Sequence, residues 1–78
     1  MDNRIYNGII DDIESYGLIA LDMGNEESQG FILVETDGKR SAEGNIQYVL
    51  NSWQSNGYIS DWEMISEFGF DWNIQIYA

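Results

Sequence analysis

The alternation of apolar and polar residues divides the chain into short elements, of which two are clear. Residues 29–36 combine β-branched and aromatic residues between turn residues, which predicts a strand. Residues 42–56 predict the main helix, because apolar residues recur at the i, i+3, i+4, i+7 spacing of one helix face. That stripe consists of Ile46, Val49, Leu50 and Trp53. We expect Ser41 to cap the start of this helix and Gly57 to close its end.

The N-terminal third allows two interpretations. As strands, residues 4–13 and 17–23 pair around a turn, and the β-branched isoleucines of this segment favour strands over a helix. As a helix, residues 3–15 have an apolar face at helical spacing, with Asp2 as a cap and Gly17 at the end. That face consists of Ile5, Tyr6, Ile9, Ile10 and Ile13. We favour the strands and keep the helix as the alternative.

The tail predicts a β-hairpin of residues 58–68 and 70–77, with Gly69 at the turn. In both strands apolar and aromatic residues alternate with polar ones, so each strand has one apolar and one polar face. A rival interpretation is a short helix at 61–68, because a capping-box pattern precedes it. We favour the hairpin.

Together these elements predict a single α+β domain over residues 1–78, in which an antiparallel sheet packs against one main helix. The predicted order is β-β-β-α-β-β, as in an OB-like or open sheet. If residues 3–15 are helical, the order becomes α-β-β-α-β-β. The composition supports a packed domain, since 44% of the residues are apolar, including three Trp, five Tyr and three Phe.

The net charge gives information about the partner rather than about the fold. Fourteen acidic residues face three basic ones, for a net charge of −11, whereas a small soluble domain carries a charge of about 2–8 in magnitude. Such a surface repels DNA, RNA and anionic lipid, which are themselves polyanions. We therefore expect a basic protein partner that itself binds nucleic acid, and no direct binding to nucleic acid or membrane.

Residue types that carry catalysis or bind metals are scarce. The chain has no His and no Cys, which often supply a general base, a nucleophile or a metal ligand. The acidic segment from Asp22 to Glu27 lacks the ligand spacing of an EF-hand loop. We expect no enzymatic activity, no metal and no cofactor. Since no stretch approaches the ~18 apolar residues of a membrane helix and no signal-peptide pattern is present, the expected location is the cytoplasm.

Two groups of carboxylates, one in the N-terminal segment and one in the predicted hairpin, are candidate partner-binding residues. The candidates are Asp11, Asp12, Glu14, Asp61, Glu63, Glu67 and Asp71. Strands and tight turns hold side chains in place, so we expect these residues to matter more than the loop residues Glu26 and Glu27, which must be ordered on binding. The tryptophans, Phe31 and Phe70 are expected in the core of so small a domain.

One resemblance concerns the fold. Gly8-x-Ile10-x-x-Ile13 followed by Tyr16-Gly17-x-Ile19 resembles the opening strands of cold-shock and related RNA-binding OB domains, within residues 8–21. The resemblance implies an OB-fold. Those domains stack bases on aromatics within a basic surface, whereas this segment is acidic. Nucleic-acid binding is therefore not implied.

A second resemblance concerns size and charge. Small, acidic, cysteine-free domains are typical of phage and mobile-element inhibitors, including anti-CRISPR and anti-restriction proteins, some of which mimic DNA. The resemblance implies a non-enzymatic inhibitor that binds a basic, nucleic-acid-binding component of a host defence system, in the cytoplasm of the host cell. Two alternatives stay open: an immunity protein that neutralises a nuclease toxin, and a structural subunit that self-associates through the uncharged segment 44–60.

Overall fold

The computed structural model describes residues 1–66 and 71–78. In this part of the chain it has α1 (Asn3–Glu14), β1 (Ile19–Asn25), β2 (Gln29–Glu35), α2 (Ala42–Ser55), β3 (Asp61–Ser66) and β4 (Trp72–Tyr77). The strands form an antiparallel sheet in the order β1-β2-β4-β3. The α+β class is confirmed. The element order is α-β-β-α-β-β, which is the alternative, so the favoured order with three leading strands is wrong.

Residues 4–13 form most of α1 rather than the favoured strand. The Asp2 carboxylate caps the helix by accepting from the backbone N–H of Arg4 at 2.7 Å and of Ile5 at 3.4 Å. Side chains at helical spacing are buried along one face, namely Tyr6, Ile9 and Ile13. Burial of this stripe outweighs the modest helix propensity of the isoleucines and Gly8.

The same helix makes the predicted OB-fold wrong. The residues that resemble an opening strand, Gly8 to Ile13, lie within α1, so the hairpin of β1 and β2 is the first pair of strands in the sheet. Gly8 has a packing role here, since a Cβ at this position would lie 2.7 Å from Cη2 of Trp53 on α2. The missing side chain therefore allows the two helices to approach closely.

The strands predicted at 17–23 and 29–36 correspond to β1 and β2, with shifted ends. Their register pairs Ile19 with Glu35 and Leu21 with Leu33, and a bulge falls between Asp22 and Gly24. Bulges are common on edge strands, where they increase the local twist. β1 is an edge strand of the sheet, and its pairing with β2 resumes beyond the bulge, where Gly24 pairs with Phe31 and Asn25 with Gly30.

The predicted C-terminal hairpin is confirmed over the described residues. β3 pairs with β4 in a register that joins Asp61 to Tyr77 and Ser66 to Trp72. The alternative short helix is wrong for residues 61–66, which form β3. The predicted turn at Gly69, together with Glu67, lies outside the described residues.

The main helix α2 begins and ends near the predicted residues. Ser41 occupies the N-cap position, but its side chain makes no capping hydrogen bond. At the other end, the N–H of Tyr58 donates to the carbonyl of Trp53 at 3.1 Å and the N–H of Gly57 to that of Gln54 at 3.0 Å. With Gly57 at a φ of 80°, these bonds form the Schellman motif that ends many helices.

Both helices contribute to one buried cluster on one face of the sheet. Alternate residues of β1, β2 and β4 face this cluster, while the residues between them face the other way. The core consists of Tyr6, Ile9, Ile13, Leu18, Ala20, Ile32, Val34, Ala42, Ile46, Val49, Leu50, Ile59, Ile74 and Ile76. The fold thus has a helix layer and a sheet layer, and the helices leave the second face of the sheet uncovered.

Candidate functional site

The two groups of acidic residues predicted to bind the partner lie in two different layers. Asp11, Asp12 and Glu14 are exposed near the C-terminal end of α1, in the helix layer. Asp61 and Glu63 are exposed on β3 and share the sheet face that points away from the helices. The structure therefore keeps these two groups apart and does not bring them into a single row.

The carboxylates on α1 stand at an electrostatically unfavourable place. The C-terminal end of a helix carries a partial negative charge, which basic residues stabilise and acidic residues do not. The last turn of α1 has no basic residue. Asp12 makes one compensating contact, since its Oδ2 accepts a hydrogen bond of 2.7 Å from Nε1 of Trp53. Asp11 and Glu14 thus leave charge exposed at some expense to helix stability.

Of the two remaining residues predicted to bind the partner, one makes a structural hydrogen bond and the other lies outside the described residues. Asp71 is half-buried, and its Oδ1 accepts a hydrogen bond of 3.3 Å from the backbone N–H of Thr36. This contact ties the start of β4 to the end of β2, so Asp71 has a structural role. Glu67 lies outside the described residues.

The uncovered sheet face carries a band of large apolar side chains. β1 contributes three, β2 contributes two and β3 contributes one: Ile19, Leu21, Met23, Phe31, Leu33 and Ile65. Met23 is 57% exposed and Ile65 58% exposed. Phe31, which was expected in the core, is instead half-buried on this face. We call these six residues the open-face band.

A shallow groove crosses the open face. It has a volume of about 360 Å³ and runs between Met23 on one edge strand and Ile65 on the other, over Phe31, Asn73 and Gln75. The register explains this arrangement, because Phe31 pairs with Gln75, and Asn73 pairs with both Leu33 and Ile65. Most apolar side chains of the face lie on β1 and β2, while β4 and β3 contribute mainly polar side chains and the apolar Ile65.

Carboxylates surround the open-face band. Asp61 and Glu63 lie on β3, and Glu35 ends β2 opposite Ile19. Burial, followed by the charge and hydrogen bond of Glu63 and the charge of Asp61, raises the pKa of the Tyr77 hydroxyl on the neighbouring strand. None of the four described strands contains a Lys or Arg. The open face thus combines apolar side chains, mostly on β1 and β2, with carboxylates on β3 and at the end of β2.

Sequence reasoning missed the open-face band, although a signal was present. In β1 and β2 both alternating positions are apolar, as in Leu18-Ile19-Ala20-Leu21 and Phe31-Ile32-Leu33-Val34. Such runs are typical of strands covered on both faces. Here the helix layer covers one face, so the second set of apolar side chains meets solvent.

A second, polar pocket of about 500 Å³ lies at one end of the sheet, lined by Gly17, Ile19, Glu35, Asp37, Lys39 and Asp71. Nζ of Lys39 donates to the carbonyl of Gly17 at 2.8 Å. Within the described ranges, no three acidic side chains are grouped so that they could hold a metal ion. This pocket offers acceptors and one cation, and we assign it no chemistry.

Comparisons with protein-family models, curated proteins and solved structures find no match to this chain. Among the described residues, no helix has the length and apolar character needed to cross a membrane.

Proposed function

We propose that this protein is a non-enzymatic inhibitor that binds a basic, nucleic-acid-binding component of a host defence system in the cytoplasm of the host cell. The observation that carries this proposal is a net charge of −11 on 78 residues, with every described carboxylate except that of Asp71 exposed. A negative field of this size accelerates association with a groove lined by Lys and Arg. The same groove would otherwise bind a nucleic acid.

The carboxylates on β3 support a version of this proposal in which the protein mimics DNA. Asp61 and Glu63 are two residues apart on one strand face, which separates them by about 6.6 Å. Phosphates along one DNA strand repeat every ~3.4 Å of rise. Because a DNA strand also winds around the axis, neighbouring phosphates lie farther apart than this rise. The two carboxylates therefore have a spacing of the order of that between neighbouring phosphates, which suits a groove that contacts phosphates in series.

The proposal is tested by displacement of DNA from purified defence nucleases. A labelled DNA duplex is bound to a restriction enzyme or to an RNA-guided nuclease, and its anisotropy is followed as this protein is added. We expect displacement from at least one enzyme, and no binding of this protein to the DNA itself. If no defence nuclease is affected but a nuclease toxin encoded beside the gene is inhibited, the immunity alternative replaces the proposal.

Charge-reversed pairs map the contact in the same assay. One double variant, Asp11→Lys/Glu14→Lys, reverses charges in the helix layer. A second, Asp61→Lys/Glu63→Lys, reverses charges on the open face. The loop control is Glu26→Lys/Glu27→Lys, which changes the net charge by the same amount. We expect the first two pairs to weaken displacement by about tenfold or more and the control by much less, because the first two pairs lie on a regular helix and strand whereas Glu26 and Glu27 lie in the turn between β1 and β2. A control that alone abolishes displacement contradicts this map, provided that circular dichroism shows all three pairs folded.

A further inference from the structure

The open face of the sheet is the largest feature that the proposed charge mechanism leaves unexplained. Four of the open-face band residues are well exposed: Ile19, Leu21, Met23 and Ile65. Large contiguous apolar patches rimmed by polar residues mark interaction sites on small soluble proteins. Acidity alone does not require such a band, since carboxylates on any surface would attract a basic partner.

The charge on this face indicates what covers it. A symmetric dimer through the open face would bring Asp61, Glu63 and Glu35 of both copies into or beside one interface, and each copy carries a net charge of −11. Repulsion between charges acts over about 8 Å at physiological ionic strength. Like charges across an interface disfavour that pairing. A second copy therefore fits this face poorly, and a cationic partner fits it well.

The distribution of apolar and acidic side chains over the face indicates the shape of the occupant. The three band positions on β1 span about 13 Å along the strand, which a helix covers in roughly nine residues. A helix is about 10 Å wide and neighbouring strands lie about 4.8 Å apart, so a helix centred over β2 covers β1 and β4 and has β3 along its flank. Basic side chains along that flank would meet Asp61 and Glu63, while apolar side chains meet Met23, Phe31 and Leu33.

We infer that the open face binds a basic amphipathic helix of the partner, with its apolar stripe on the open-face band and its Lys or Arg flank on the carboxylates of β3. The inference rests on the proposed function, because it names the element of the basic partner that this protein recognises. It also divides the roles of the surface: the net charge speeds association, and the open-face band selects the helix.

The probe is a synthetic 16-residue peptide with a leucine stripe flanked by lysines, and its control is a scrambled peptide of the same composition. Binding is measured by calorimetry, and the contact surface by amide chemical shifts of the unmodified protein. We expect the amphipathic peptide to bind at least tenfold more tightly than the scrambled one, with shifts concentrated on β1, β2 and β3. Equal binding of the two peptides, or shifts concentrated on α1 and α2, would overturn the inference.

Paired variants give an independent test. Met23→Ser/Ile65→Ser removes two of the most exposed band residues, and Tyr16→Ser/Tyr48→Ser removes exposed aromatics elsewhere as a matched control. We expect the first pair to weaken peptide binding at least tenfold and the control less than twofold. Light scattering of the unmodified protein at high concentration should show a monomer. A dimer that Met23→Ser/Ile65→Ser dissociates would assign the face to a second copy and reject the helix.

The DNA-displacement assay separates failure of this inference from failure of the proposed function. If Met23→Ser/Ile65→Ser displaces DNA from the target as well as the unmodified protein does, the function stands and the open face is not the contact. If the unmodified protein displaces no DNA from any defence nuclease, the proposed function fails, whatever the peptide does.

Discussion

At the scale of single residues, Tyr6 links the helix layer to the sheet. Its ring is buried, and its hydroxyl lies 2.6 Å from both Oδ1 of Asp22 and the carbonyl oxygen of Phe31. Asp22 Oδ1 also accepts from the N–H of Gly24 at 3.0 Å, across the bulge of β1. Burial first, and then the hydrogen bond and charge of Asp22, raise the pKa of the Tyr6 hydroxyl well above its usual range.

Replacement of Tyr6 by Phe is expected to lower the free energy of unfolding at pH 7 by about 1–3 kcal/mol, because the buried ring loses the one proton that its hydroxyl donates to the partly buried acceptors on Asp22 and Phe31. The replacement should also reduce the dependence of the free energy of unfolding on pH in the alkaline range. A raised pKa in the folded state stabilises the fold below the unfolded value of about 10, and this contribution is lost as the pH rises above it. Urea unfolding at pH 7 and at pH 10.5 measures both effects.

Tyr77→Phe is the comparison variant, since the pKa of Tyr77 is raised but the side chain lies on the open face. Its loss at pH 7 should be smaller than that of Tyr6→Phe. If Tyr6→Phe keeps the full alkaline loss of stability shown by the unmodified protein, the link between Tyr6 and Asp22 does not have the role described here.

The carboxylate of Glu14 is expected to oppose folding. Glu14 is the last residue of α1, where the helix dipole disfavours negative charge, and Glu43 lies in the first turn of α2, where the dipole favours it. Glu14→Lys should raise the free energy of unfolding by roughly 0.3–1 kcal/mol. The free energy of unfolding of the Glu43→Lys variant should be lower than that of the Glu14→Lys variant by a similar amount. Both variants change the net charge equally, so a difference in their urea midpoints isolates the helix ends. Equal midpoints would contradict this explanation.

At the scale of elements, the contact between α1 and β2 depends on Gly30. A Cβ at Gly30 would lie 2.7 Å from Cδ1 and Cε1 of the buried Tyr6 ring. Gly30→Ala should therefore destabilise the fold by about 1–3 kcal/mol, as overpacking of a core does. Gly44→Ala is the control, because nothing lies within 4 Å of a Cβ at this position of α2. It should stabilise the helix by about 0.5–1 kcal/mol. Thermal unfolding of both variants tests this contact. A Gly30→Ala variant as stable as the unmodified protein would contradict the close contact between Gly30 and Tyr6.

Elements with a strong local pattern were predictable, and the element whose local signals conflict was not. β2, α2 and the C-terminal hairpin follow from alternation, helical spacing and turn residues. For α1, propensity favoured strands, whereas the periodic stripe and the Asp2 cap favoured a helix. The deciding contacts, Tyr6 on Gly30 and Gly8 against Trp53, join residues distant in the chain. Such contacts cannot be predicted from the local sequence, so local propensity gave the wrong secondary structure for residues 4–13.

At the scale of the whole molecule, the sequence predicted the charge but not its arrangement. A net charge of −11 follows from composition, and the sequence offered two groups of carboxylates as candidate contacts. The fold separates Asp11 and Glu14 in the helix layer from Asp61 and Glu63 on the open face. Whether a strand is covered on one face or two depends on how many helices the fold supplies. This is why the open-face band could be recognised only once the layers were known.

We propose that negative charge lets this protein take the place of nucleic acid on a basic partner. The DNA-displacement titration of a defence nuclease, repeated from about 50 to 300 mM salt, tests this proposal. Added salt screens the charges, since the Debye length falls to about 8 Å at 150 mM. We expect displacement at every salt concentration. After correction for the salt dependence of DNA binding, the dissociation constant of this protein should be lowest at low salt, with a slope that Asp61→Lys/Glu63→Lys reduces. Inhibition that leaves the DNA bound, or a corrected dissociation constant that is the same at all salt concentrations, would contradict the proposal.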